Sequence, residues 1–296
     1  MTPPSNAQAG VASAEPAKAA RPARESLLLA VNMLPASPQI LARLDPMLVH
    51  MDADIEDITE LLRCDAALTA RIIRIANSVT YAGHEPLSSI EEALMRVGLA
   101  EVYRVTGFAV LAQVSNQHIP LYDITGAQFR ENSLLTALIM EALAKVSGAD
   151  ARAAYTAGLL RSTGKIALDR AMKSTSHYRD IEPYSRGPLM EWETATFGLT
   201  NSEAAGLVLE AWRFPPAMLA AVRDHYSWTE AETSLTALLN LAAGAAERCG
   251  HGLPGEYPYW DLSPEKFAAA GLDEPTLDEA TRSALEAFGP VRAAVG

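Results

Sequence analysis

Ala157-Gly-Leu-Leu-Arg-Ser-Thr-Gly-Lys165 is the stretch on which the reading of this chain turns. It follows a long helical pattern and reads as the end of one helix, a glycine break and the start of another. Arg161 and Lys165 stand four residues apart. Two roles suit them: contact with an anion such as a nucleotide phosphate, or an ion pair with a carboxylate from across a helix bundle, the commoner state of Arg and Lys. The stretch is not a phosphate-binding P-loop. Five residues separate Gly158 from Gly164 where four are needed, Ile166 stands where Ser or Thr is required, and the preceding element reads as a helix rather than a strand.

Upstream, the pattern is helical. Asp54 is placed to cap a helix from Ile55 to Arg63 with Ile55, Ile58 and Leu62 on one face. Asp65 caps the next, with Leu68, Ile72 and Ile75 at helical spacing. Ser88-Ser-Ile-Glu91 reads as a capping box for a short helix that Gly98 ends. Leu99 to Asn116 is strongly apolar. After a loop at 117–127, a helix is expected from about Gln128 to Val146, and Lys165 leads into another from Ile166 to Lys173. Asn77, Ser78 and Tyr81 sit where a helix ends, as a capping and turn cluster or as a polar patch facing a partner. Residues 1–25 are an Ala/Pro-rich tail with almost no large apolar side chain, expected to be disordered.

Downstream, helices are expected over Leu189–Phe197, from Thr200 or Asn201, from Pro216 to His225, over Thr233–Cys249, and in two closing segments ending near residue 290. Trp212 and Phe214 read as core anchors. The loop at 250–263 carries Tyr257, Tyr259 and Trp260, which either form an interaction surface or fold back on the bundle. Residues 291–296 read as a tail.

Composition narrows the function classes. The hydrophobic fraction of 49% supports a globular chain rich in Ala and Leu, which favours helices. A formal net charge of −12 argues against direct nucleic-acid binding. Two cysteines, Cys64 and Cys249, make neither a disulfide framework nor a metal spacing and fit a reducing cytosol. No apolar run approaches the ~20 residues of a membrane span. His225 is one histidine without a second at i+3 or i+4. His50, His84, His118, His177 and His251 are scattered without ligand spacing.

Several motifs fall in one order: Leu34-Pro-Ala-Ser-Pro38, Asp65-Ala-Ala-Leu-Thr-Ala-Arg-Ile-Ile-Arg-Ile-Ala-Asn-Ser78, Tyr81, Ser88-Ser-Ile-Glu-Glu-Ala-Leu-Met-Arg-Val-Gly-Leu99 and the Ala157–Lys165 stretch. Together they resemble the HDOD domain, a degenerate relative of the HD phosphohydrolases, from about Leu27 to the C-terminal helix. The resemblance implies an all-α fold: an N-terminal helical subdomain at 26–126, an HD-like multi-helix bundle at 127–250, and a closing loop and helices at 251–290. In catalytic HD proteins the matching core reads Ala-Gly-Leu-Leu-His-Asp-Ile-Gly-Lys, and the His-Asp pair holds a metal. Here Arg161-Ser162 replaces that pair. Asn132 stands where such proteins carry the first His, and Asn240 where they carry the last Asp. Asn201 stands at or beside a further family His, and His225 at a position where catalytic relatives carry a functional His.

The resemblance therefore implies a non-enzymatic regulatory domain in bacterial signalling, cytoplasmic, needing no cofactor. Its partners would be proteins such as a histidine kinase or a cyclic-dinucleotide enzyme. A second reading is a nucleotide sensor that uses Arg161 and Lys165 in the vacated cleft. A third is a divergent phosphohydrolase whose metal would need Asp169, Glu203, Asp224 and His225 to converge.

Overall fold

The chain is described from a computed structural model that covers residues 38–49, 54–78, 81, 86–115, 117–227 and 234–295. The expected N-terminal tail and the Leu34-Pro-Ala-Ser turn lie outside these residues. All regular elements among the described residues are helical, apart from one isolated bridge between Ile119 and Ile124.

Local chemistry sets the helix starts. Helix α1 spans Pro38–Val49. Asp54 caps α2 (Ile55–Arg63) by accepting from the Glu56 amide, and Asp65 caps α3 (Ala66–Ala76) by accepting from Leu68 at 2.9 Å. The capping box of α4 (Ile90–Val97) lies one residue beyond the expected place: Ser89 and Glu92 form it, while Glu91 turns away to pair with Arg63. Gly98 then adopts φ +82°, a left-handed value that lets α5 (Leu99–Val114) start at once in a new direction.

Helix α6 (Gly126–Ser147) is the centre of the molecule. Helices α7 (Ala151–Leu160), α12 (Ser234–Arg248) and α14 (Glu274–Val295) all pack on it. Helix α8 (Thr163–Lys173) packs on α10 (Asn201–Ala211), and α10 on α11 (Pro216–Asp224). Helix α9 (Leu189–Phe197) precedes α10, and α13 (Pro264–Ala270) packs on α12. The core runs unbroken from Leu41 and Leu44 through Phe129 and Leu160 to Leu277 and Phe288. The expected N-terminal subdomain and the bundle therefore share one apolar interior, with α5 packing on α1 and α3 as well as on α7.

Three expectations need correction. The last helix continues through Val295, so the chain does not become a tail at residue 291. Helix α8 begins at Thr163 rather than after Lys165. The glycines of the opening stretch do not break helices: Gly158 lies inside α7 and Gly164 inside α8. A β-carbon at Gly158 would lie 2.7 Å from the Cα of Ala137. One at Gly164 would lie 1.8 Å from the carbonyl oxygen of Asn201. Both glycines are there so that neighbouring helices can touch backbone to backbone.

Candidate functional site

Helix α7 ends at Leu160, and the turn into α8 places Arg161, Ser162 and Lys165 in the interior, each fully buried. Arg161 Nη2 donates to Glu256 Oε2 at 2.8 Å and to Asn132 Oδ1 at 2.7 Å. Lys165 Nζ lies 3.2 Å from Glu256 Oε1 and 4.0 Å from Glu193 Oε1, above the ring of Tyr122. Glu256 also accepts from the Tyr226 hydroxyl at 2.8 Å. Glu193 accepts from Tyr122, from the Asn201 backbone amide and from its side chain, at 2.9, 2.9 and 3.1 Å. The result is a buried chain of charges in which carboxylates face both cations.

The electrostatics follow from that geometry. Burial alone would raise the Glu256 carboxyl, but Arg161 and Lys165 outweigh it and hold it down at about 2. Burial would likewise lower Arg161, and Glu256 reverses this. Burial pushes the Glu193 carboxyl up against the opposing pull of Lys165. His225 is fully buried and held down at about 3, first by burial and then by the Arg161 charge. Its Nδ1 lies 2.6 Å from the Val222 carbonyl, which can only accept, so Nδ1 carries the proton and Nε2 turns its lone pair to Arg161.

The neutral state of His225 predicts a pH dependence. Its folded pKa lies below the ordinary value of about 6.5. The unfolded chain therefore takes up a proton that the folded one refuses, and stability is lost as pH falls from about 6.5 toward 3. Thermal unfolding followed between pH 7 and pH 4.5 should show a falling midpoint, with a shallower fall in His225→Gln. Equal slopes in the two proteins would contradict the assignment.

Of the positions singled out from sequence, the structure brings Asn132, Arg161, His225 and Asn240 together. Asn132 accepts from Arg161 and donates to the His251 carbonyl at 2.7 Å. Asn240 donates to the His225 carbonyl at 2.7 Å. Each amide thus ties a backbone segment into the site. Ser162 is buried beside them.

Other candidates separate. Asp169 accepts from the Leu121 amide and pairs with Lys173, Glu203 closes the capping box on Thr200, and Asp224 pairs with Arg223 at the surface. Among the described residues these three do not form with His225 a group that could hold a metal ion. Trp260 is not a surface residue: it is buried, stacks on His225 and Tyr226, and lies under the Arg161 guanidinium. Tyr259 is half-buried with its hydroxyl on the Met190 amide, while Tyr257 is 73% exposed. Asn77 is exposed, but its amide is committed to both backbone groups of Leu87, at 2.8 Å each.

Arg161 and Lys165 present no open anion site, because both are fully buried against Glu256. Open space lies elsewhere, in a groove of about 610 Å³ between α6 and α14 that includes Leu138, Val146 and Ala284. The donor set does not fit a divalent metal either. A guanidinium cannot ligate one, Glu256 is taken by two cations, and no group of three His, Cys, Asp or Glu side chains among the described residues is arranged to hold an ion.

Sequence reasoning missed Glu256, Glu193, Tyr122 and Tyr226. Glu193 had left a signal. Leu189, Glu193 and Phe197 form the i, i+4, i+8 stripe that α9 buries, so a carboxylate on that stripe called for a buried partner. Glu256 had left none, since it stands in an aperiodic loop.

The fold and the site define an all-helical protein whose apolar interior holds a cluster of buried ion pairs. The family profile of the HDOD domain matches residues 34–228, and the chain belongs to that family. An HDOD domain protein of unknown function from Geobacter sulfurreducens superposes with a TM-score of 0.62 at 22% identity, over 92% of this chain and 97% of that one. A protein from Marinobacter aquaeolei VT8, provisionally named a signal transduction protein, gives 0.63 at 20% identity, over 92% of this chain and 65% of that one. An uncharacterized protein of Treponema pallidum (strain Nichols) is 23% identical over 236 residues; the match spans 77% of this chain and 44% of the relative, less than half its length. At these identities the structural likenesses speak for the fold.

Proposed function

We propose that this chain is a regulatory domain without catalytic chemistry, which works by contact with other signalling proteins. The single observation that carries this reading is the Arg161–Glu256–Lys165 cluster. Where HD enzymes hold a cation with His and Asp, this chain places its own guanidinium and satisfies it with its own carboxylate. The charge problem of the site is solved internally, so nothing there calls for a metal. The signal-transduction naming of a structural relative agrees with a regulatory role. Proteins such as a histidine kinase or a cyclic-dinucleotide enzyme are the partners the reading favours.

Elemental analysis of protein purified without chelators tests the first part. Far less than one zinc, iron or manganese per chain is expected, with no phosphoesterase activity that a chelator removes. Stoichiometric metal would overturn the reading of Asn132, Arg161 and Asn240. For the second part, affinity capture from the native cell should return a signalling protein whose purified form binds the chain directly. Failure of every captured candidate to bind in purified form would count against it.

A further inference from the structure

Arg71 and Arg74 lie one turn apart on α3, and Arg130 stands in the second turn of α6. Among the described residues no ion pair neutralises any of the three. Arg71 is held below the usual guanidinium range first by burial and then by the charges of Arg74 and Arg130, with no carboxylate among the described residues opposing them. Its Nε is buried without a hydrogen-bond partner. Arg130 Nη1 donates to the Ser115 carbonyl at 3.1 Å, which fixes that side chain against the end of α5.

The acidic neighbours are engaged elsewhere. Glu131 pairs with His251 and Arg292, and Asp65 caps the far end of α3. Ser115, Gln117, His118 and Ile119 also wall a crevice of about 60 Å³ with Asp169, Arg170 and Lys173. Lys173 pairs with Asp169 at 2.8 Å, whereas Arg170, half-buried, makes no ion pair among the described residues. Arg71, Arg74 and Arg130 therefore bring positive charge together in a chain whose formal net charge is −12.

Like charges crowded without a carboxylate destabilise the empty fold, and an anion that binds them relieves that repulsion. Guanidinium forks suit phosphate oxygens, which accept two parallel hydrogen bonds from each. In a chain of formal net charge −12, three guanidinium groups favour a compact anion over a long polyanion. We propose that Arg71, Arg74 and Arg130 form a binding site for the phosphoryl group of a small phosphorylated ligand or phosphorylated side chain. The site spans α3 and the start of α6, so an occupant would tie the N-terminal helices to the central one. It is separate from the Arg161 cluster and does not depend on the regulatory reading.

The test uses the full chain with magnesium-free pyrophosphate as probe, titrated calorimetrically and by thermal unfolding at fixed ionic strength. Saturable binding and a raised midpoint are expected. Arg71→Gln and Arg74→Gln should each weaken binding about tenfold, while the unliganded Arg71→Gln protein unfolds at the same temperature as the parent or higher. AMP and a phosphoserine peptide then separate a nucleotide source from a phosphorylated side chain. The proposal fails if no saturable heat appears, if chloride at matched ionic strength raises the midpoint equally, or if both variants bind as the parent does. It fails too if a short single-stranded oligonucleotide binds more tightly than pyrophosphate with steep salt dependence, which would make the cluster a nucleic-acid track.

Discussion

Glu256→Gln should cost about 3–5 kcal/mol of folding stability, the usual penalty for removing one partner of a buried ion pair. Against a typical total of about 5–15 kcal/mol, that is enough to unfold much of the chain at moderate temperature. The substitution keeps the shape of the side chain and removes its charge, leaving Arg161 and Lys165 buried with no strong counter-ion. Glu193 cannot take over, because it is 4.0 Å from Lys165 and is bound by Tyr122 and Asn201. Urea unfolding followed by circular dichroism measures the loss. A double-mutant cycle with Arg161→Gln assigns it, since the double variant should be less destabilised than the sum of the singles. The effect also has a pH signature. The folded pKa of about 2 lies below the unfolded carboxylate value, so the contribution is complete above about pH 4.5 and is lost as pH falls toward 2. The acid limb of the stability curve should therefore be shallower in Glu256→Gln. A variant as stable as the parent at neutral pH would show that the cluster does not hold the fold together.

Much of the architecture could be read from local rules, because caps and periodicity act over a few residues. Asp54, Asp65, Gly98 and Thr200 mark helix ends in the structure as their side chains or backbone freedom require. Leu68, Ile72 and Ile75 are buried as their spacing predicts. The site was legible only on one side. Arg161 and Lys165 stood out because a cation pair in an apolar stretch demands an explanation, but the answer lies about 95 positions away at Glu256, in a loop with no period. Trp260 misled for the same reason. An aromatic in a Pro-rich loop resembles an interface residue, and only the tertiary path of that loop carries it under Arg161. The two glycines misled in another way, because sequence shows that glycine is conformationally free but not which backbone comes close to it.

That last point carries the other large effect. Gly164→Ala is expected to prevent accumulation of folded protein, whereas Gly206→Ala should be neutral or stabilising by about 0.5–1 kcal/mol. Both residues sit inside helices, so helix propensity favours alanine at both. They differ in what the new methyl meets. At Gly206 the nearest atom is a side-chain carbon of Arg223 at 3.6 Å, an ordinary contact. At Gly164 the methyl would lie 1.8 Å from the Asn201 carbonyl oxygen and 2.6 Å from the Ala205 nitrogen, both backbone atoms of α10. No rotamer change relieves that overlap, so α8 and α10 must move apart. Moving α10 carries Asn201 away from Glu193, which it binds through both its backbone and its side-chain nitrogen. A buried carboxylate then loses two donors while the apolar seam opens, and the two losses exceed the few kcal/mol of an overpacked core. Soluble yield and thermal midpoint, measured for both variants beside the parent, decide the matter. A Gly164→Ala protein that folds with an unchanged midpoint would mean that α8 and α10 do not approach backbone to backbone, and the placement of Lys165 against Glu256 would fall with that contact.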